Sequence, residues 1–490
     1  MDYKEWSPHD FESECLLGST QIFHRKIAAK KCFNGEFFQR VSSQINCPCK
    51  WSDYECETGY LRDHFESGSF KCIPDDTFGD AFDAGMCKPG RMFNRTKGYR
   101  KVAGNVCEGG EEDYYSPQLL PCPLSANESE FILFVQRQDI SMISLNSQEF
   151  SKNSLVPRSF LTNAIAADFD VQKSCLFWSD ISFHRIMRLC LNGTQTQPEV
   201  LVESELYSVE GIAFNQINRQ LYFVNGFKSK IELIDVDAHR EGRMRRTIIS
   251  KPNIDKPRGI AVDPLSGYLF ITDWSTSHPA IVKSELDGQN IQILFNSLTV
   301  IWPNGITVDQ RSLRIFWVDA KLDYIASSNY DGKELKYILR GEHTPHPFAL
   351  GVFKDVVFYD DWNLHKLMLV SKHNSTVRKE ILNGVTGAMD LKIITHFYTN
   401  MSNGCTNNTC EHLCIAKPVN SFRCLCPDGL VSTLTPDGNE KCSCPLNEEM
   451  TSTGACKPLL PSVTCGPDEF KCTSENACIR YDLQFFCFQA

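Results

Sequence analysis

Two runs, Pro303-Asn-Gly-Ile-Thr-Val-Asp309 and Ile315-Phe-Trp-Val-Asp319, are the most informative part of this 490-residue chain because both recur along it. An equivalent pair stands 46 residues earlier, as Pro257-Arg-Gly-Ile-Ala-Val-Asp263 and Leu269-Phe-Ile-Thr-Asp273. Each run is short and rich in β-branched and aromatic residues, which is typical of a β-strand. The sequence therefore predicts a repeated unit of paired strands.

The second run occurs six times, and its first residues are 44, 45, 48, 46 and 42 positions apart. The copies are Ile132–Gln136, Leu176–Asp180, Leu221–Asn225, Leu269–Asp273, Ile315–Asp319 and Val357–Asp361. Another strand follows and ends in Asn-Gly or Asp-Gly, the dipeptides that a tight hairpin favours. A period near 45 with three or four strands matches one propeller blade, and six blades close a ring. We predict a mainly β protein with a six-bladed propeller over residues 125–400, flanked by small disulfide-rich modules. Two β-sandwiches would not explain one constant period.

Four of the six runs end in aspartate, at Asp180, Asp273, Asp319 and Asp361. A carboxylate encoded once per repeat is expected to stabilise the repeat, whereas a catalytic pair should break the symmetry. We therefore expect no catalytic residues and no enzyme. Gln136 and Asn225 replace the aspartate in the other two blades, where their side-chain oxygens still accept hydrogen bonds.

Composition narrows the class of protein. The formal net charge is −10, which argues against a nucleic-acid-binding surface. Of the 23 cysteines, nine lie within residues 1–122 and twelve within 405–487. Dense cysteine blocks around a cysteine-poor centre indicate disulfide-stapled modules and an oxidising compartment. Within the centre, Cys175 and Cys190 are expected on adjacent strands, either paired or as two buried thiols.

The residues after Met1 do not form a signal peptide, and the longest strongly apolar stretch, Phe131–Val135, is too short to cross a bilayer. Six Asn-x-Ser/Thr motifs fit exposure to the lumen or the outside of the cell. They are Asn94, Asn127, Asn192, Asn374, Asn400 and Asn407. We interpret the chain as an internal piece of a longer secreted or membrane-anchored protein.

The six runs, with the Pro-x-Gly-Ile-x-Val-Asp strand before them and His346-Pro-Phe-Ala-Leu350, resemble the YWTD repeats of the low-density lipoprotein receptor family. The amino-terminal block resembles the ten-cysteine module of the sortilin family. The segments that carry that resemblance are Asp2–Trp6, Glu14–Gly18, Cys32–Gly35, Asp53–Cys56, Gly98–Lys101 and Cys107–Gly110.

The sortilin resemblance assigns residues 1–124 to that module and implies its cystine pairs. The pairs are Cys15–Cys47, Cys49–Cys107, Cys56–Cys72 and Cys87–Cys122, with Cys32 unpaired because the family's first cysteine is missing. Spacing alone leaves the connectivity open, since eight cysteines allow 105 pairings. A zinc site at Cys47, Cys49 and Cys56 lacks the usual ligand spacing.

Residues 401–458 resemble an epidermal-growth-factor-like module. That resemblance implies the pairs Cys405–Cys414, Cys410–Cys424 and Cys426–Cys442, with Cys444–Cys456 in addition. Met401–Gly404 lacks the acidic residues of calcium-binding versions, so no calcium is expected there.

Residues 459–490 resemble the front half of a low-density-lipoprotein-receptor class A repeat, with a Cys465–Cys478 pair implied. The repeat stops before its acidic calcium box, so Cys472 and Cys487 lack partners. We expect no cofactor and no metal in this chain, and calcium only in complete class A repeats of the parent.

This module order resembles a mosaic sorting receptor of the two families. The resemblance implies a single-pass type I protein that binds protein cargo and moves it among Golgi, endosomes and plasma membrane, with this chain on the lumenal side and anchored only through missing parts. A basement-membrane propeller of the nidogen type and a hydrolase or lactonase propeller are the alternatives. We also expect release of cargo in acid, carried by propeller histidines. They are His184, His239, His278, His343, His346 and His365.

Overall fold

The computed structural model describes most of the chain. Described residues are 2–7, 15–33, 41–63, 71–75, 91–122, 130–146, 150–193, 195–238, 244–446, 448–450, 456–458, 469–472 and 477–480. They separate into two compact units, one mainly of residues 1–126 and the other mainly of residues 127–490. No helix in these ranges is long and apolar enough to cross a membrane.

The first unit is a set of short strands. One sheet has three strands, Tyr3–Trp6, Ser19–Lys26 and Val41–Asn46. The other strands form three antiparallel pairs: Tyr54–Cys56 with Tyr99–Lys101, Tyr60–Arg62 with Cys72–Pro74, and Met92–Arg95 with Gln118–Pro121. One helical turn, Glu112–Tyr115, and a 3₁₀ turn, Trp51–Asp53, complete it.

Among the described residues of this unit, the main buried cluster consists of tyrosines and cysteines. Tyr54, Tyr99 and Tyr115 are buried together with half-cystines, and the Tyr54 and Tyr115 rings are stacked with centroids 4.5 Å apart. A region with so few buried aliphatic side chains gains little from hydrophobic burial, so cross-links contribute a large share of its stability.

The second unit contains six four-stranded antiparallel sheets, one per repeat, which we call blades 1 to 6. Blade 1 consists of Phe131–Gln136, Asp139–Ser144, Lys152–Ser154 and the distant strand Ala388–Ile394, and blade 2 consists of Ala164–Asp170, Cys175–Asp180, Arg185–Cys190 and Glu199–Val202. Blade 3 consists of Ile212–Asn215, Gln220–Asn225, Lys230–Asp235 and Arg246–Ser250, and blade 4 consists of Pro257–Asp263, Tyr268–Asp273, Ala280–Glu285 and Gln292–Phe295. Blade 5 consists of Pro303–Asp309, Arg314–Asp319, Tyr324–Asn329 and Lys336–Arg340, and blade 6 consists of Pro347–Phe353, Val356–Asp361, Lys366–Ser371 and Arg378–Asn383.

The six blades form a closed ring. The innermost strand of each blade neighbours the innermost strand of the next, and Ala388–Ile394 contacts Ala164–Asp170. Within blade 1, Ala388–Ile394 pairs antiparallel with Phe131–Gln136, so the two ends of the propeller sequence are hydrogen-bonded to each other. Closure of this kind leaves no long exposed sheet edge. The predicted mainly β fold with a six-bladed propeller is confirmed.

The six sequence runs are the second strands of their blades, and their apolar residues form the core between sheets. Trp178, Trp317, Tyr222 and Tyr359 are among the largest fully buried side chains. Residues of alternating orientation along these strands pack against the blades on either side, which explains why the runs are apolar on both faces.

Residues after the propeller form short hairpins. Leu413–Lys417 pairs with Ser421–Leu425, Val431–Leu434 with Glu440–Ser443, Glu448–Met450 with Cys456–Pro458, and Glu469–Cys472 with Ala477–Arg480. Two 3₁₀ turns, Arg158–Phe160 and Gly341–His343, lie in described connections of the propeller.

Candidate functional site: the upper face of the propeller

The ring has two loop-built faces. We define the upper face as the loops that join the second to the third strand of a blade and those that connect successive blades; the lower face carries the other turns. The four repeat aspartates lie at the upper face. Asp273 is almost fully buried and accepts hydrogen bonds from the backbone amides of Asp255, Lys256 and Ser275 at 2.8, 3.0 and 2.9 Å. It thereby joins the connection from the preceding blade to the loop that follows its own strand.

The same arrangement recurs in three more blades. Asp319 accepts from the amides of Ile301 and Lys321, at 2.7 and 3.0 Å, and Asp180 and Asp361 accept from equivalent loop amides. All four carboxylates are saturated by backbone donors, which suits a structural role. Asn225 differs from the expectation, because its amide donates to the Glu205 carbonyl oxygen at 2.8 Å while its own oxygen is buried without a hydrogen-bond partner among the described residues.

The lower face of blades 3 and 4 is covered by the carboxy-terminal cysteine segment, residues 401–450. Leu413, Ile415 and Leu425 are buried in one cluster with side chains of these two blades. The Gln220 side chain donates to the Cys414 carbonyl oxygen at 2.8 Å, and the Asn403 amide donates to the Pro264 carbonyl oxygen at 2.9 Å. The segment therefore leaves the upper face open.

Charged contacts flank this apolar seam. Asp287 of blade 4 lies 3.3 Å from both Lys417 and Arg423, and Thr247 of blade 3 donates twice to Asp428 at 2.7 Å. Asp287 and the two cations are largely shielded from water, so removal of one partner would leave a poorly solvated charge.

Stacked side chains cross the upper face from blade 4 to blade 6. The Arg258 guanidinium lies 4.3 Å from the centroid of the Trp274 ring and 5.5 Å from that of Phe348. Phe348 stacks on Trp362 at 4.2 Å, and Trp362 stacks on His346 at 5.7 Å. Arg258 is further held by Glu210 at 2.8 Å and by Asn304 at 2.7 Å. A rigid row of flat apolar and cationic groups is a feature of protein-binding surfaces.

A second, more exposed aromatic cluster lies on blades 2 and 3 of the same face. The Tyr207 ring has its centroid 5.5 Å from that of Phe227, which is 76% exposed, and 6.0 Å from that of His184. The Lys228 ammonium lies 4.9 Å from the Tyr207 centroid. Such groups remain exposed in a folded protein at a cost in hydration free energy, so their clustering marks a candidate contact surface.

The five described propeller histidines named from the sequence all lie at the upper face. His184 and His365 are in loops between second and third strands, His278 is in the equivalent loop of blade 4, and His343 and His346 are in the connection to blade 6. The structure thus brings them to one end of the ring, which the sequence did not reveal. His239 lies outside the described residues.

The innermost strands carry acidic residues that the sequence analysis missed. Asp168 lines a cavity of about 430 Å³ at the lower end of the central channel and accepts from the amides of Phe169 and Phe214, both at 2.7 Å. Burial raises the pKa of Asp168 to about 6, against the charge of Lys392 and these hydrogen bonds. Burial likewise raises the pKa of Asp390, which accepts from the Ala167 amide at 3.2 Å.

A signal for Asp168 existed in the sequence. Its register position in the next three blades is occupied by Ala213, Ala261 and Thr307, so Asp168 interrupts the repeat with an acidic residue where the other three strands have none. Asp168 and Asp390 each bind a neighbouring blade through a backbone amide, which is a bridging role. Among the described residues no group of three or more His, Cys, Asp or Glu side chains is placed to hold a metal ion.

The structure places the cysteines of the first unit as follows. Cys15 is joined to Cys47, Cys49 to Cys107 and Cys56 to Cys72, with Cα atoms 6.4, 5.0 and 5.6 Å apart. Cys32 is a free thiol, and Cys122 is disulfide-bonded. Cys87 lies outside the described residues.

In the second unit Cys405 is joined to Cys414, Cys410 to Cys424, Cys426 to Cys442 and Cys444 to Cys456. Cys175 and Cys190 are each disulfide-bonded, so two free thiols are not the state of this blade. Cys465, and with it the Cys465–Cys478 pair, lies outside the described residues.

Five of the six glycosylation candidates can be placed, and each is exposed. Asn94 is on a strand of the first unit, Asn192 follows the third strand of blade 2, and Asn374 is in a lower-face turn of blade 6. Asn400 and Asn407 lie just before and within the carboxy-terminal cysteine segment. Asn127 lies outside the described residues.

Comparison with known proteins shows which protein families this chain resembles. The family model for the carboxy-terminal part of sortilin, neurotensin receptor 3, matches residues 1–122, and that for low-density lipoprotein receptor repeat class B matches residues 267–310. Over 98% of its length the chain is 37% identical to the sortilin-related receptor of Oryctolagus cuniculus and 38% identical to that of Mus musculus. The chain is similar to sortilin-related receptors along nearly its whole length. The resemblance expected from the sequence is confirmed.

The chain spans 21% of the length of these sortilin-related receptors. Among solved structures, a chain from the crystal structure of a nidogen/laminin complex is 27% identical, with a TM-score of 0.48, and the match covers 54% of this chain and 98% of that one. The relatives are receptors, and the propeller assignment itself stands on the six sheets described above.

Proposed function

We propose that this chain is a non-enzymatic, lumenal or extracellular segment of a type I sorting and endocytic receptor. It binds protein cargo, and its parent carries that cargo between Golgi, endosomes and cell surface. The similarity to sortilin-related receptors over 98% of the chain supports the receptor assignment, and the sortilin match over residues 1–122 favours it over a matrix propeller of the nidogen type.

The upper face is the proposed cargo surface. The observation that carries this proposal is its two clusters of aromatic, cationic and histidine side chains on a face that residues 401–450 leave open. Aromatic residues and arginine dominate binding energy at protein interfaces, and loops on a rigid ring hold them in place.

We infer the following modules along the chain: a sortilin-type cysteine module over residues 1–124, the propeller over 125–400, an epidermal-growth-factor-like module over 401–458 and a truncated class A repeat over 459–490. In this assignment the exposed asparagines carry glycans, and the cystines stabilise the small modules. Residues 401–450 would stabilise blades 3 and 4, since the apolar side chains of this segment are buried against these two blades.

The proposal is tested by proximity labelling of secreted proteins around the chain displayed on a membrane anchor. Phe227→Ser should remove a set of labelled proteins that the matched control Ile293→Ser retains, because Ile293 is 67% exposed on the outer strand of blade 4. If both variants label the wild-type set, the upper face is not the cargo surface.

Release in acid forms a finer part of the proposal. Histidine gains charge between pH 7.4 and pH 5.5, and five histidines lie at the proposed surface. Proteins labelled at pH 7.4 should be lost at pH 5.5 in the wild type. They should be retained at pH 5.5 when His278 and His346 are replaced by glutamine. Equal labelling of the wild type at both pH values would leave the propeller as a passive spacer.

A further inference from the structure

The lower face carries a groove between blades 5 and 6 that residues 401–450 do not cover. It encloses about 720 Å³ and is lined by turns of both blades. Its cationic side chains are Arg311, Arg314, Lys336, Lys354 and Lys372, with His373 at one end. We refer to it as the blade 5–6 groove.

Two of the three carboxylates of this groove are paired with cations. Asp309 lies 2.6 Å from Lys372 and Glu334 lies 2.9 Å from Arg314, whereas Asp355 lies 3.5 Å from the His373 imidazole. These pairs neutralise two of the five cations.

Three cations remain without a carboxylate within ion-pair distance in the described part of the chain: Arg311, Lys336 and Lys354. All three are exposed at the groove. The groove lining has five cations and three carboxylates, so with His373 counted as neutral its formal charge is +2, which is unexpected in a chain whose net charge is −10. Concave positive surfaces concentrate anions because their walls focus the field.

Each of the three cations contacts a neighbouring aromatic ring or carbonyl oxygen. The Arg311 guanidinium lies 5.8 Å from the Phe397 centroid, and the Lys354 ammonium lies 4.7 Å from the Phe353 centroid. Lys336 donates to the Lys372 carbonyl oxygen at 3.1 Å. A guanidinium has five N–H donors and an ammonium three, so each cation keeps donors for a further acceptor.

The repeat does not require Arg311. The turn that follows the innermost strand has the same length in blades 2 to 5. Each of these turns has a residue of positive φ just before the second strand, so the four turns can be aligned on it. The position of Arg311 is occupied by Gln172, Ile217 and Leu265 in blades 2, 3 and 4. A residue that departs from the repeat pattern serves one place in the ring rather than the architecture.

The equivalent region between blades 2 and 3 is an internal comparison. There Arg219 pairs with Asp170 at 2.6 Å and also with Asp237, and Lys173 pairs with Asp237 at 2.7 Å. Two cations meet two carboxylates, so the charges balance. The excess of positive charge is therefore a property of the blade 5–6 groove and not of every interblade space.

We propose that the blade 5–6 groove binds a sulfated polysaccharide. The three cations without an ion-pair partner lie on different segments, with Arg311 and Lys354 in turns and Lys336 at the start of a strand, so successive sulfate groups of one linear chain can each meet a different cation. The planar guanidinium of Arg311 suits bidentate binding of such an oxyanion. A recessed groove admits a narrow chain, whereas a flat bilayer surface reaches only projecting cations. This site lies on the opposite face from the proposed cargo surface and does not depend on it.

The test is the binding of a heparin decasaccharide to the full chain by calorimetry across a range of salt concentrations. The groove variant replaces Arg311, Lys336 and Lys354 by glutamine. The control variant replaces Lys321, Arg340 and Lys379 by glutamine, which removes the same net charge from exposed cations that also lie against aromatic rings. All six side chains are exposed, so both variants should fold, as circular dichroism will check.

We expect the groove variant to lose at least tenfold in heparin affinity, and its dependence of log affinity on log salt to fall by about 2 to 3, close to one for each lost contact. The control variant should bind like the wild type. Fully desulfated heparin should not bind, since its carboxylates alone give fewer anionic groups. Equal losses in the two variants, no heparin binding by the wild type, or binding only to phosphatidylserine vesicles would each overturn the proposal.

Discussion

Replacing Asp168 by asparagine should flatten the pH dependence of propeller stability. The carboxyl lies in the wall of the central cavity, and its burial raises its pKa to about 6, above the value of about 3.9 for an unfolded chain. The folded state therefore binds this proton more tightly than the unfolded state. Ionisation of Asp168 costs stability in full above about pH 6, and this cost disappears as the pH falls toward 4.

The size of the effect follows from the two pKa values. Between pH 7.4 and pH 5.5 the free energy of unfolding should rise by about 0.8 kcal/mol through Asp168 alone. The asparagine of the variant is neutral at both pH values, so this part of the rise should vanish. Loss of one acceptor for the amides of Phe169 and Phe214 should lower stability about equally at both pH values and cancel in the difference.

The assay is urea unfolding of the full chain at pH 7.4, 6.5 and 5.5, followed by the fluorescence of buried Trp178 and Trp317. Asp331→Asn is the matched control, since that carboxylate is 68% exposed at a turn of blade 5. It should keep the wild-type difference between pH values. If Asp168→Asn also keeps the wild-type difference, Asp168 does not titrate in this range and the argument from its burial is refuted.

Three further predictions concern stability and covalent structure. Asp273→Ala should lower the free energy of unfolding by about 1–3 kcal/mol, because three backbone amides lose a shared acceptor, and an unchanged urea midpoint would contradict this. Gly267→Ala should destabilise more than Gly341→Ala, since both positions have positive φ but only at Gly267 would the new Cβ lie 2.6 Å from the hairpin of residues 413–425. Hydrogen exchange in that hairpin should rise in the first variant and not in the second. Peptide mapping after alkylation should find Cys32 as a free thiol, and recovery of Cys32 in an intramolecular bridge would contradict the pairing. Reduction should unfold the first unit while the propeller persists, because native bridges in small domains contribute about 2–5 kcal/mol each.

The repeat made much of the architecture predictable. Each blade is specified by local pattern: an apolar strand, a tight turn and a polar cap such as Asp319, repeated at nearly constant spacing. Local signals of this kind survive in the sequence because they depend on residues that are near neighbours in the chain. The closing strand Ala388–Ile394 lacks the repeated run, and its partnership with Phe131–Gln136 joins residues more than 250 positions apart. A sixth complete blade needs a fourth strand from elsewhere in the chain, but the sequence did not show which segment supplies it.

The class of fold, the number of blades, the cysteine-rich ends and the resemblance to the two receptor families could all be predicted from the amino-acid sequence. Which loops share a face became known from the three-dimensional structure. In the structure five histidines lie on the same face as the stacked side chains Trp274, Arg258, Phe348, Trp362 and His346. Residues 401–450 cover the opposite face of blades 3 and 4, and Arg311, Lys336 and Lys354 lie around one groove. Such groupings depend on how blades pack around a closed ring, and residues far apart in the chain carry no local pattern that records their neighbours.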